Sequence, residues 1–133
     1  MTASRMFAAR PASVPAARQF VLAQLARVAD GVRETAALLV SELATNAVVH
    51  GRTRFEVSVE ITAKDLRVEV ADTGAGEPVV GPLPGPSDQH GRGLWLTRAM
   101  AGEWGVSHAV GTPPGKTVWF SLPLGRALEP APS

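Results

Sequence analysis

The hydrophobic period changes sharply near residue 52, and that change limits the folds open to this chain more than any other feature. From Val32 to His50, the residues Val32, Ala36, Leu39, Val40, Leu43 and Ala47 recur three or four positions apart, which lays them along one stripe of an α-helix. From Phe55 the period falls to two. Phe55, Val57, Val59 and Ile61 alternate with Glu56, Ser58 and Glu60, as in a strand with one apolar face and one wet face. The same alternation returns in Leu66, Val68 and Val70 after the turn Ala63-Lys64-Asp65, so the two segments predict an antiparallel hairpin. A chain with both periods buries its apolar surfaces by laying helices on a sheet.

The flanking segments extend this plan. Ser13 is a candidate N-cap with Pro15 in the first turn of a helix over 14–29, which Asp30-Gly31 is expected to end. Gly51 is expected to stop the second helix. The first dozen residues are short and bounded by Pro11, which predicts a tail or one edge strand at Arg5 to Ala9. Gly and Pro recur too often between 73 and 91 for a regular element, and exposed loops of such length usually carry function. A short helix at Leu94 to Ala101 and strands near Trp104 to Val110 and Thr117 to Leu122 complete the pattern. The predicted fold is α+β: a two-layer sandwich of a mixed, mostly antiparallel sheet with helices on one face. The domain runs over 13–123, between tails 1–12 and 124–133.

Composition removes several functions. A length of 133 residues suits one domain. The 13 Lys and Arg are dispersed and the net charge is +1, which argues against direct nucleic-acid binding. There is no Cys and the three His are scattered, so thiolate metal sites are excluded and a reducing, cytoplasmic setting is expected. No apolar run approaches the roughly 20 residues of a membrane span. Residues 1–29 carry four Arg and no acid, which imitates a transit peptide; a helix packed on the domain explains the same stretch.

Four short segments carry chemistry. Glu42 and Asn46 lie four residues apart, hence on one helix face; an amide oxygen there suits Mg2+, and Glu42 suits a general base. Alone, the pair also reads as a solvated helix face. Asp72 ends a strand and runs into Gly74 and Gly76, where a carboxylate can accept from an exocyclic amine and the backbone can approach closely. An ordinary Asp-x-Gly turn has the same letters. Gly91, Arg92, Gly93 and Leu94 open the next helix, a place for free backbone N–H groups to meet phosphate, or for a hinge. Gly115-Lys116-Thr117 imitates a Walker A loop, but it leads into a strand pattern rather than a helix. A turn that sets Lys116 and the Thr117 hydroxyl near a ligand is the remaining reading.

In this order the segments resemble the Bergerat ATP-binding fold of the GHKL superfamily. SELATNAVVHG, VEVADTGAG, GRGLWLTRAMA and GKTVWFSLP look most like the small anti-sigma-factor serine/threonine kinases of actinobacteria. The resemblance covers roughly residues 14 to 122. It implies that Asn46 holds Mg2+ on the triphosphate of ATP, that Asp72 receives the adenine amine, and that Gly74 and Gly76 line the adenine pocket. Gly91, Arg92, Gly93 and Leu94 would meet the phosphates beneath a lid at about Glu77 to His90, with Thr117 near the adenine end. Glu42 would be the base for transfer of the γ-phosphate to an anti-anti-sigma partner. A sigma factor and a second copy of the chain are the other implied partners. The proline-rich lid and the scant N-terminal strand depart from the family pattern, which bears on partner recognition and dimer formation.

Overall fold

The computed structural model describes residues 1–72, 102–109 and 115–124. Among them the chain forms β1 (Thr2–Phe7), α1 (Ser13–Gln24), α2 (Asp30–Asn46), a π-helical turn (Ala47–Gly51), β2 (Phe55–Ile61), β3 (Asp65–Asp72), β4 (Glu103–Ala109) and β5 (Gly115–Pro123). The strands make one sheet in the order β1-β2-β3-β5-β4. All four pairings are antiparallel, so the described sheet has no parallel pair where a mixed one was expected. The α+β architecture itself is as the change of period requires.

The hairpin forms where the alternation lies. Phe55 pairs with Asp72 and Ile61 with Leu66, and the turn is tied by the Thr62 amide donating to the Asp65 carbonyl at 2.9 Å. The Thr62 hydroxyl adds a bond to the Asp65 carboxylate at 2.9 Å. Phe55, Val57 and Val59 from β2, Leu66, Val68 and Val70 from β3, and Val118, Phe120 and Leu122 from β5 form the inner face. Against it pack Phe20 and Val21 of α1 and Ala36, Leu39, Val40 and Leu43 of α2, which is the stripe expected on the second helix.

Three boundaries differ from expectation. Asp30-Gly31 opens α2 instead of ending α1: the break falls after Gln24, and Asp30 sits in the first turn of α2, where a carboxylate favours the positive end of the helix dipole. Gly31 lies within the first turn of α2, and a Cβ there would meet nothing. Ser13 is the first residue of α1, and the residue before it, Ala12, makes no side-chain cap. The helical run closes not at Gly51 but at Arg52, whose φ of 59° is left-handed and whose amide donates to the Ala47 carbonyl at 3.0 Å.

The N-terminal strand is fuller than expected. It runs over six residues from Thr2 to Phe7 along the edge of β2, and ends by stacking Phe7 on Phe55 at 5.5 Å between centroids. On the outer sheet face, Trp119 lies so close over Gly105 that a Cβ there would come within 2.8 Å of the indole, and Arg67 covers the same ring at 4.0 Å. The long loop 73–91 and the short helix at Leu94 to Ala101 lie outside the described residues.

Candidate functional site

The end of α2 and the adjoining ends of β3 and β5 meet at a narrow cleft. Leu43, Asn46, Ala47 and His50 line it from the helical side, and Val70, Asp72, Lys116 and Val118 line it from the sheet. Leu43, Val70 and Val118 belong to the buried core, so an apolar floor lies beside a small set of polar groups, the usual make-up of a ligand pocket. The room inside is about 10 Å3, enough for roughly one water.

Asn46 is the last residue of α2, just before the helix widens into its π turn. Its Nδ2 is buried and has no hydrogen-bond partner among the described residues. An unsatisfied buried amide costs about 1–3 kcal/mol, and most buried polar groups in folded proteins do have a partner. His50 follows one turn later on the same cleft wall.

Asp72 closes β3 and is 6% exposed. Its register partner on β5 is Lys116, itself 7% exposed. Carboxylate and ammonium thus stand on neighbouring strands on the inner side of the sheet, an arrangement in which opposite charges attract directly. Neither is without a partner.

The structure brings Asn46 and Asp72 to one cleft. It does not bring Thr117 there. Along β5 the buried positions are Lys116, Val118, Phe120 and Leu122, so Thr117 is turned the other way, into an open depression with Met6, Arg54 and Glu56 that Asp72 and Lys116 also border. Lys116 occupies the inward position. Glu42 is half-buried on α2, one turn before Asn46, and is not among the residues lining the cleft. Gly74, Gly76, Gly91, Arg92, Gly93 and Leu94 lie outside the described residues. Lys116 and His50 are the lining residues to which the sequence reading gave no definite role. The parity of Val118, Phe120 and Leu122 points to Lys116, and the four-residue step from Asn46 points to His50.

A family model for the histidine kinase-like ATPase domain matches residues 7–122. The chain belongs to this family. An ATPase domain of this kind binds ATP, and the match runs from Phe7 at the end of β1 through Leu122 of β5, the cleft included. No curated protein matches the chain. Among the described residues of this ATPase domain, no three or more His, Cys, Asp or Glu gather into a metal cluster. Of the groups lining the cleft, the Asn46 amide would suit a magnesium ion, which keeps most of its waters and takes few protein ligands. The buried, unpartnered amide of Asn46 fits that role in chemistry, since turning the amide over presents its carbonyl oxygen to the same space. No described helix of the domain is long and apolar enough to cross a membrane.

Proposed function

We propose that this ATPase domain is a regulatory, cytoplasmic protein serine/threonine kinase, which binds Mg-ATP and passes the γ-phosphate to a hydroxyl of an anti-anti-sigma partner, and which also sequesters a sigma factor. The observation that carries the reading is the single cleft shared by Asn46 and Asp72, an amide beside a carboxylate on an apolar floor. Asp72 accepts the exocyclic amine of adenine and Asn46 takes a place in the magnesium shell. Bound there, the metal would neutralise charge on the phosphates.

Glu42 is the group for the transfer itself. It takes the proton of the attacking hydroxyl as that oxygen bonds to the γ-phosphorus and the bond to the bridging β,γ-oxygen breaks, releasing ADP. Phosphoryl transfer of this kind rests mainly on positioning and electrostatics. Gly74, Gly76, Gly91, Arg92, Gly93 and Leu94 complete the nucleotide contacts in this reading, and β1, an edge strand among the described residues, would take a second copy of the chain.

A second reading draws on Glu42 lying outside the cleft lining and already holding a partner of its own: a nucleotide-gated binding protein that reports ATP against ADP without transfer. Incubation with γ-labelled ATP and a candidate anti-anti-sigma protein separates the two. The kinase reading expects label on a Ser or Thr of the partner, lost in Glu42→Ala while ATP binding persists. Nucleotide-dependent complex formation with no label would leave only the second reading.

A further inference from the structure

An amide serves a metal well only when the rest of it is held in place, and the cleft offers few groups able to hold Asn46. Its Nδ2 is buried with no hydrogen-bond partner among the described residues. An amide that turns its oxygen to a cation keeps two N–H donors in need of acceptors. The apolar side chains of the cleft have none to offer, and Lys116 ends in an ammonium, which only donates. Asp72 and His50 remain, and the ATP reading gives Asp72 to the adenine amine. We propose that His50 is a positioning residue for Asn46: one ring nitrogen of the neutral imidazole accepts from Nδ2 and fixes the amide with its oxygen toward the magnesium ion. This rests on the ATP reading and on Asn46 as the magnesium ligand.

The backbone puts His50 in that place. Side chains on a helix lean toward its N-terminus, so a residue one turn later lies back over the one before it. In an unbroken α-helix Val49 and His50, three and four positions on, would share the neighbourhood of Asn46. The run from Ala47 to Gly51 is instead a π turn, with one more residue in each hydrogen-bonded ring, and the Arg52 amide closes it on the Ala47 carbonyl at 3.0 Å. Val49 is turned out to 41% exposure, whereas His50 lines the cleft beside Asn46. The turn ends with Arg52 in left-handed backbone, which is costly for a non-glycine residue; local costs of this kind gather at functional sites.

The chemistry separates this role from direct contact with the nucleotide. A neutral imidazole donates through one nitrogen and accepts through the other, so a neighbour that takes its N–H fixes the second nitrogen as an acceptor. A group that orients a metal ligand in this way acts on metal affinity without touching the metal. A residue that met the phosphates as a cation would act on the nucleotide with or without the metal. Room for about one water keeps bulk solvent from replacing the contact.

Calorimetric titration of the full chain with ATP, in Mg2+ and in EDTA, tests the role. Wild type is expected to bind ATP more tightly with Mg2+. His50→Ala should lose roughly two- to tenfold in Mg2+, the weight of one hydrogen bond, and little in EDTA. His50→Gln, whose carbonyl oxygen accepts, should recover part of that loss, whereas His50→Lys, which has charge but no acceptor, should not. In an Asn46→Ala background the His50 substitutions should have no further effect, as expected of two residues that act as a unit. Rescue by His50→Lys, equal losses with and without Mg2+, or an unchanged affinity in His50→Ala would overturn the proposal while leaving ATP binding intact. Should His50→Ala fail to fold, the other two variants decide: Gln above Lys in Mg2+ supports the role, and Lys equal to or above Gln contradicts it. A wild type whose ATP affinity ignores Mg2+ removes the metal reading of Asn46 and this proposal with it.

Discussion

Asn46 and Asp72 reach the cleft from unlike backbones, and each shows a different cost of being there. Asn46 ends an α-helix with its amide nitrogen buried and unpartnered; Asp72 ends a strand as a buried acid beside Lys116. Asn46→Ala is expected to weaken Mg-ATP by about tenfold or more and metal-free ATP far less. Asp72→Asn should weaken both to a similar degree, and calorimetry with and without EDTA measures the difference. Equal losses for Asn46→Ala in the two conditions would contradict its place in the metal shell. At this scale the residue types singled out Asn46, one turn after Glu42, and Asp72, at a strand end two residues before Gly74, and both line the cleft. Lys116 was harder to assign, since Gly-Lys-Thr draws the eye to the hydroxyl, whereas strand parity turns Lys116 inward and Thr117 outward.

Among the elements, the amphipathic ones were the most readable, since burial enforces a period: α2 and the β2–β3 hairpin formed on the residues whose pattern requires them. Boundaries were less readable, because they depend on one or two residues whose letters have two meanings. Asp30-Gly31 serves as a helix start as well as a turn. The left-handed position that closes the helical run falls on Arg52 rather than on the glycine beside it. Left-handed backbone costs a non-glycine residue roughly 1–2 kcal/mol, more than the ~0.4–1 kcal/mol of unfolded-chain entropy that glycine adds. Arg52→Gly is therefore expected to raise the thermal midpoint slightly and Arg52→Val to lower it, as read by circular dichroism. Gly105→Val should also lower the midpoint, because its side chain would drive Trp119 off the sheet and away from Arg67.

For the whole molecule, one core serves both the fold and the site. Phe120 is fully buried on the inner face of β5, two residues from Val118 of the cleft floor. Phe120→Ala is expected to cost about 3–5 kcal/mol, a large share of a domain stability of ~5–15 kcal/mol, so it should unfold at clearly lower denaturant. Bound ATP acts in the opposite direction: at 100 times its dissociation constant, a ligand adds about 2.7 kcal/mol to a native state that alone binds it. The α+β plan was legible because a helical period followed by a strand period leaves few ways to bury both stripes. The sheet order β1-β2-β3-β5-β4 was not, since pairing between distant strands leaves no mark in local spacing. In the function proposed above, one cleft between α2 and the β3–β5 ends seats ATP, with the purine at Asp72 and the triphosphate on the Asn46 side. A crystal structure with Mg2+ and a non-hydrolysable ATP analogue tests it directly. The exocyclic amine is expected within hydrogen-bonding distance of the Asp72 carboxylate, and the Asn46 amide in the metal shell. Nucleotide bound elsewhere, or bound with neither side chain in contact, would contradict it.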